Sequence, residues 1–325
     1  MTKEKVKVWI LDDEWFTHDV EKAIYAEHDI EVKVTTSASL TEDLESFGRQ
    51  ADGIVAQVGF DCGEDIISQL TNCKIIASSG VGFNHINLEA ASKKGIYVTN
   101  QADYCIGEVS DHTITLALVV GRRLRAYNNQ IKNSEWDPLD TLPIYRMQGR
   151  TVGLLGFGRI AKEVAKKFKV FGVHLIAYDK YADETVFKEY GVESVSFDEL
   201  MERSSILSLH VALTEETEGI INYEAMKKLP TDAIIINTCR GAVINEADLI
   251  QIIKEGHLAG AGLDVLVEEP PNPELELLHM DEVYVTPHSS YVSVESEKEL
   301  RTRTSLNIIR AIQGERPEFV QNKVE

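Results

Sequence analysis

The chain has 325 residues, 43% of them hydrophobic, enough to bury two cores rather than one. Its formal net charge of −20 sets up a field that repels polyanions, which argues against nucleic acid or an anionic membrane surface as a partner. Cys62, Cys73, Cys105 and Cys239 have no CxxC or CxxH spacing, so they read as reduced thiols and no metal site is expected.

The first segment, MTKEKVKVWILDDE, runs directly into an apolar strand pattern without a signal-peptide core. The longest apolar run, Ile114 to Gly121, falls short of a membrane span, so a cytoplasmic location is expected. Short β-branched runs then recur at 6–11, 30–34, 53–57, 74–78 and 97–100, separated by stretches of helical spacing such as 63–70 and 87–94, for which Asp61 and Asn87 are candidate caps. That alternation predicts parallel βαβ units and a first small α/β domain. One long helix is predicted from about Glu108 to Ile131, followed by an irregular connection over 134–150 that holds Pro138 and Pro143. A second α/β series has strand patterns at 151–156, 173–179, 206–211, 233–238, 260–265 and 283–287, the six strands of a dinucleotide-binding sheet. A last helix, about 292–313, is expected to pack back on the first domain, leaving a polar tail, GERPEFVQNKVE. The fold class is therefore α/β with two domains: a Rossmann-type doubly wound sheet over 103–292, inserted into a smaller discontinuous domain made of 1–102 and 293–325.

Between the strand at 151 and the next helix, Gly156, Gly158 and Ala161 fit the G-x-G-x-x-G/A pattern. Gly156 allows a tight turn, Gly158 lets a pyrophosphate approach the backbone, and Ala161 keeps helix and sheet close. The amides of Arg159 and Ile160 open the helix, where the dipole favours an anion. Asp179, at the end of the following strand, suits both ribose hydroxyls and repels a 2′-phosphate, which selects NAD over NADP.

Hydride transfer between a nicotinamide and a keto acid needs a cation for the carboxylate, polarisation of the carbonyl and a proton donor. Arg240, Glu269 and His288 each follow a strand of the same sheet. A carboxylate beside His288 favours its imidazolium form, and Glu269 is the candidate. Arg240 offers a planar fork for a substrate carboxylate and its neighbouring oxygen.

These segments resemble the D-isomer-specific 2-hydroxyacid dehydrogenases, through SGVGFNHINLEAASKKGIYVTN (79–100), GLLGFGRIA (153–161), LHVALTEETEGIIN (209–222), INTCRGAVINEADL (236–249), AGLDVLVEEPP (261–271) and TPHSS (286–290). Within that family, ADYCIGEVSDHTITLAL (102–118) and SSYVSVESEKELR (289–301) resemble the branch related to the C-terminal-binding-protein corepressors. The resemblance implies a flavodoxin-like substrate domain, NAD as cofactor, and a homodimer formed by the cofactor domains. It puts His288, Glu269 and Arg240 in the catalytic roles argued above, Asp264 beside the nicotinamide amide, His210 and Thr238 among the cofactor-binding residues, and the amides of Val81 and Gly82 on the substrate carboxylate. Segment 54–65 carries no basic side chain, which favours an unphosphorylated 2-keto acid over phosphoglycerate. The alternatives are a 3-phosphoglycerate dehydrogenase and an NADH-responsive regulatory protein.

Overall fold

The computed structural model describes residues 5–140 and 143–324. The chain divides into two compact units, Met1–Tyr104 with Ser293–Glu325, and Cys105–Val292.

The first unit has strands β1 (Lys7–Leu11), β2 (Glu31–Thr35), β3 (Gly53–Gln57), β4 (Ile75–Ser79) and β5 (Tyr97–Thr99). They form an all-parallel sheet in the order β2-β1-β3-β4-β5, the flavodoxin-like arrangement. β3 is buried along its whole length, as a parallel strand covered on both faces must be. One face packs Trp9, Ile54, Ile76 and Val98. The other packs Val8, Ile10, Val55 and Ile75 against Ile308, Ile309 and Ala311 of the last helix, Val294–Ile312. Asn87 caps the helix Leu88–Lys93 by accepting from the Ala90 amide. Asp61 does not act as a cap: the helix Glu64–Ile67 starts after Gly63 without a side-chain cap.

The second unit has β6 (Thr151–Leu155), β7 (His174–Tyr178), β8 (Glu193–Ser194), β9 (Ile206–Leu209), β10 (Ala233–Asn237), β11 (Leu258–Leu263) and β12 (Val283–Val285). Their order is β12-β11-β10-β9-β6-β7-β8, all parallel. This is the doubly wound Rossmann order with one strand added beside β11, and the order reverses between β6 and β9, where such folds bind ligands. The expected six strands are seven, because β8 is a two-residue, solvent-exposed edge without an apolar pattern. The single helix expected over 108–131 is two, Ile106–Gly121 and Leu124–Lys132. The break falls at Arg123, whose φ of +55° lies in the left-handed region and interrupts the helix although the apolar spacing continues through it. The connection expected at 134–150 has no helix or strand over its described part; Thr141 and Leu142 lie outside the described residues. No helix among the described residues is long and apolar enough to cross a membrane.

Candidate active site

At the end of β6 the chain turns at Gly156 with φ +89°, and a Cβ there would stand 2.6 Å from the His210 carbonyl oxygen, so this position requires glycine. Phe157 anchors the turn in the core, stacked on Phe187 with ring centroids 4.8 Å apart. Gly158 is different. Its φ of −75° suits any residue, and a Cβ there would meet nothing within 4 Å. The fold leaves that space open. The helix Arg159–Lys169 begins after Gly158 with no side-chain cap, so the first-turn amides of Arg159 and Ile160 are donors without intrahelical acceptors. A diphosphate fits those donors and that open approach. Ala161 is fully buried and shares a core cluster with Val152 and Leu154 of β6 and Phe168 of its own helix, so its small side chain sits on the face that packs against the sheet.

Asp179 follows β7, and its carboxylate is already engaged. Oδ2 accepts from the Phe157 amide at 2.6 Å, and Oδ1 accepts from the amides of Tyr181 and Ala182 at 2.8 and 3.0 Å. The side chain expected at the ribose therefore also braces the glycine turn. Lys180 beside it is paired with Glu216 at 2.7 Å. His210, after β9, shares a hydrogen bond with the Ser208 hydroxyl at 2.9 Å, and burial pushes its pKa down to about 3, so the ring stays neutral. Thr238 shares a hydrogen bond with Thr113 at 3.0 Å.

Past β10, Asn237 folds the T-C-R-G segment into a turn. Its Oδ1 accepts from the Cys239 amide at 3.0 Å and its Nδ2 donates to the Arg240 carbonyl at 2.9 Å. Gly241 lies so close to the next loop that a Cβ would come within 2.0 Å of the Leu266 carbonyl carbon. This close approach brings the Arg240 loop against the segment leading to Glu269.

His288 follows β12 with φ +49°, a conformation that costs energy for a side chain of this kind. Asp264 holds it there. The Asp264 carbonyl accepts from the His288 amide at 2.8 Å, while its carboxylate accepts from Thr286 Oγ1 at 2.6 Å and from the amides of Ser289 and Ser290, both at 2.9 Å. His112 Nε2 meets Thr286 Oγ1 at 2.9 Å. Thr286, Ser289, Ser290 and His112 are not among the site residues expected from the sequence, because such supporting groups carry no chemical signature of their own.

His288 Nδ1 donates to Glu269 Oε2 at 2.7 Å, and Glu269 Oε1 accepts from the Leu266 amide at 2.9 Å. Burial opposes ionisation of Glu269, but the hydrogen bond and charge of His288, the Leu266 amide and the Arg240 charge outweigh it and hold the carboxyl below its usual range. A carboxylate only accepts, so Nδ1 carries a hydrogen and Nε2 is the atom left for chemistry.

In the first unit, the loop after β4 presents Val81 and Gly82. The Gly80 carbonyl accepts from the Gln101 amide at 2.9 Å, the Val81 carbonyl from Asn100 Nδ2 at 2.6 Å, and the Gly82 carbonyl from Ser78 Oγ at 2.6 Å. Because a trans peptide points its N–H opposite its carbonyl, fixing the carbonyls of Gly80 and Val81 sets the directions of the Val81 and Gly82 amides.

Residues 114–290 match the family model of the D-isomer specific 2-hydroxyacid dehydrogenase NAD binding domain. The chain is 37% identical over 295 residues to a D-3-phosphoglycerate dehydrogenase of Methanocaldococcus jannaschii, covering 90% of this chain and 55% of that one. It is 36% identical over 282 residues to a glyoxylate reductase of Thermococcus litoralis, covering 85% of each. Among solved structures, a D-lactate dehydrogenase from Aquifex aeolicus, complexed with NAD and lactic acid, superposes with a TM-score of 0.86 at 29% identity, covering 94% of this chain and 96% of that one.

Proposed function

This chain belongs to the D-isomer specific 2-hydroxyacid dehydrogenases, an NAD-dependent family of oxidoreductases, and from that premise we propose that it reduces a small, unphosphorylated 2-keto acid to the D-2-hydroxy acid. The observation that carries this reading is the His288–Glu269 pair, a proton-bearing imidazole fixed by an ionised carboxylate at 2.7 Å. In this proposal Arg240 takes the substrate's carboxylate and carbonyl oxygens, and within the first unit the Val81 and Gly82 amides are donors for a carboxylate. His288 delivers a proton from Nε2 to the oxygen of the former carbonyl, and Glu269 orients the ring through its Nδ1 hydrogen bond. Gly156, Gly158, Arg159 and Ile160 hold the cofactor diphosphate, Asp179 the ribose, and His210, Thr238 and Asp264 the remainder. Bound NADH supplies the hydride.

Phosphoglycerate is the second reading, favoured by the Methanocaldococcus relative. Against it stands segment 54–65, which carries Asp61, Glu64 and Asp65 and no basic side chain to hold a substrate phosphate. We also propose a cytoplasmic homodimer assembled through the second unit, whose Leu124, Ile131, Trp136 and Leu139 are exposed apolar side chains of the kind an interface covers. Oxidation of NADH in the presence of glyoxylate, pyruvate, hydroxypyruvate or 3-phosphohydroxypyruvate tests the substrate reading. Turnover of an unphosphorylated acid is expected. Preference for the phosphorylated one overturns it, and NADH binding without any turnover favours the regulatory alternative.

A further inference from the structure

The polar tail that follows the last helix is bound along the sheet of the first unit. Val320 bridges Thr99 in antiparallel fashion, the Gln321 amide donates to the Val98 carbonyl at 2.8 Å, and the Val98 amide donates to Asn322 Oδ1 at 2.8 Å. Asn322 Nδ2 donates to the Ile96 carbonyl at 2.8 Å. These bonds cover the edge of β5, and backbone pairing alone would achieve that.

The Gln321 side chain reaches further. Its Nε2 donates to the Phe319 carbonyl at 2.8 Å and to Asn100 Oδ1 at 3.0 Å, while Asn100 Nδ2 donates to the Val81 carbonyl at 2.6 Å. The directions are forced. Both backbone carbonyls can only accept, so each carboxamide must turn its NH2 toward its carbonyl, which leaves the Asn100 oxygen for Gln321. Asn100 is only 4% exposed, so a released carboxamide has little water to turn to.

We propose that Asn100 and Gln321 are positioning residues of the substrate site: the tail fixes the Asn100 carboxamide, Asn100 fixes the Val81 carbonyl, and the same peptide thereby aims the Gly82 N–H at the substrate carboxylate. The inference rests on the reading that the Val81–Gly82 loop takes that carboxylate. It gives the segment after the last helix a part in substrate affinity, separate from its part in covering the sheet edge.

The test compares wild type, Gln321→Ala, Asn100→Ala and the double variant, with NADH affinity and thermal midpoint measured on each. Loss of the hydrogen bond to Asn100 in Gln321→Ala raises KM for the keto acid about three- to tenfold, with kcat and NADH affinity unchanged. Asn100→Ala raises KM at least as far, and adding Gln321→Ala to it changes nothing more, because the tail acts through Asn100. An unchanged KM in Gln321→Ala, or effects that multiply in the double variant, overturns the proposal. If Asn100→Ala does not fold, the Gln321→Ala result decides alone. Oxamate, a keto-acid isostere that accepts no hydride, separates this inference from the proposed function. Weaker oxamate binding to the NADH complex of Gln321→Ala supports the relay even where no keto acid turns over, and equal binding, or none by wild type, overturns it.

Discussion

Gly156 and Gly158 stand two residues apart, and substitution should affect them in opposite ways. At Gly156 an alanine takes φ +89° and its Cβ falls 2.6 Å from a backbone oxygen that cannot swing aside. Strain and displacement together cost about 2–4 kcal/mol, which lowers the thermal midpoint by roughly 4–16 °C. At Gly158 the backbone is extended and the Cβ position is empty to 4 Å. Serine is a favoured helix cap, so Gly158→Ser keeps the midpoint or raises it by a few tenths of a kcal/mol, about a degree. The same side chain occupies the approach to the Arg159 and Ile160 amides. Losing one charge-assisted hydrogen bond there, about 1.5–3 kcal/mol, weakens NADH binding roughly ten- to a hundredfold or more. Melting curves without nucleotide and NADH fluorescence titrations read both effects. A Gly158→Ser protein that binds NADH like wild type would refute the assignment of this turn to the diphosphate.

Asp179→Asn keeps an acceptor for the Phe157 amide but removes the charge, so the preference for NADH over NADPH should narrow by roughly tenfold, the effect of about 1.4 kcal/mol; steady-state kinetics with both cofactors checks it. Glu269 ionises below its ordinary value of 4.5, and a depressed folded-state pKa contributes stability above the unfolded value that is lost as pH falls through the folded one. The Glu269 carboxylate should therefore persist down to below pH 4.5, and Glu269→Gln should lower kcat/KM roughly ten- to a hundredfold at neutral pH, part of what a positioned proton donor supplies; pH–rate profiles of both proteins decide this. Trp136→Glu should shift a dimer to monomer in analytical ultracentrifugation, and an unchanged sedimentation coefficient argues against the proposed interface.

The sheets were legible because parallel strands buried on both faces leave continuous β-branched runs, as at Gly53–Gln57 and Ala233–Asn237. The glycine turn was legible for a related reason: Gly156 is forced by backbone geometry, and Gly158 stands out because the fold does not need it. Features that depend on a single dihedral or on distant pairing were not visible. The helix break at Arg123 is one left-handed residue within an unbroken apolar pattern, β8 is two exposed residues, and the tail finds its partner strand more than 200 positions earlier, Thr99 opposite Val320. For the site, residue types at strand ends pointed to Arg240, Glu269 and His288. The groups that tie the His288 segment to Asp264, Thr286, Ser289 and Ser290, become apparent only when the hydrogen bonds are traced. Asp179 shows the same limit, since nothing in its sequence position announces the three amides it accepts from.

The most direct measurement is the single-turnover rate of hydride transfer from NADH to glyoxylate in wild type and in His288→Gln, each at saturating NADH. The variant is expected to bind NADH as wild type does and to transfer hydride about 10²–10⁴ times more slowly. Equal rates in the two proteins would contradict the role of the His288–Glu269 pair as proton donor.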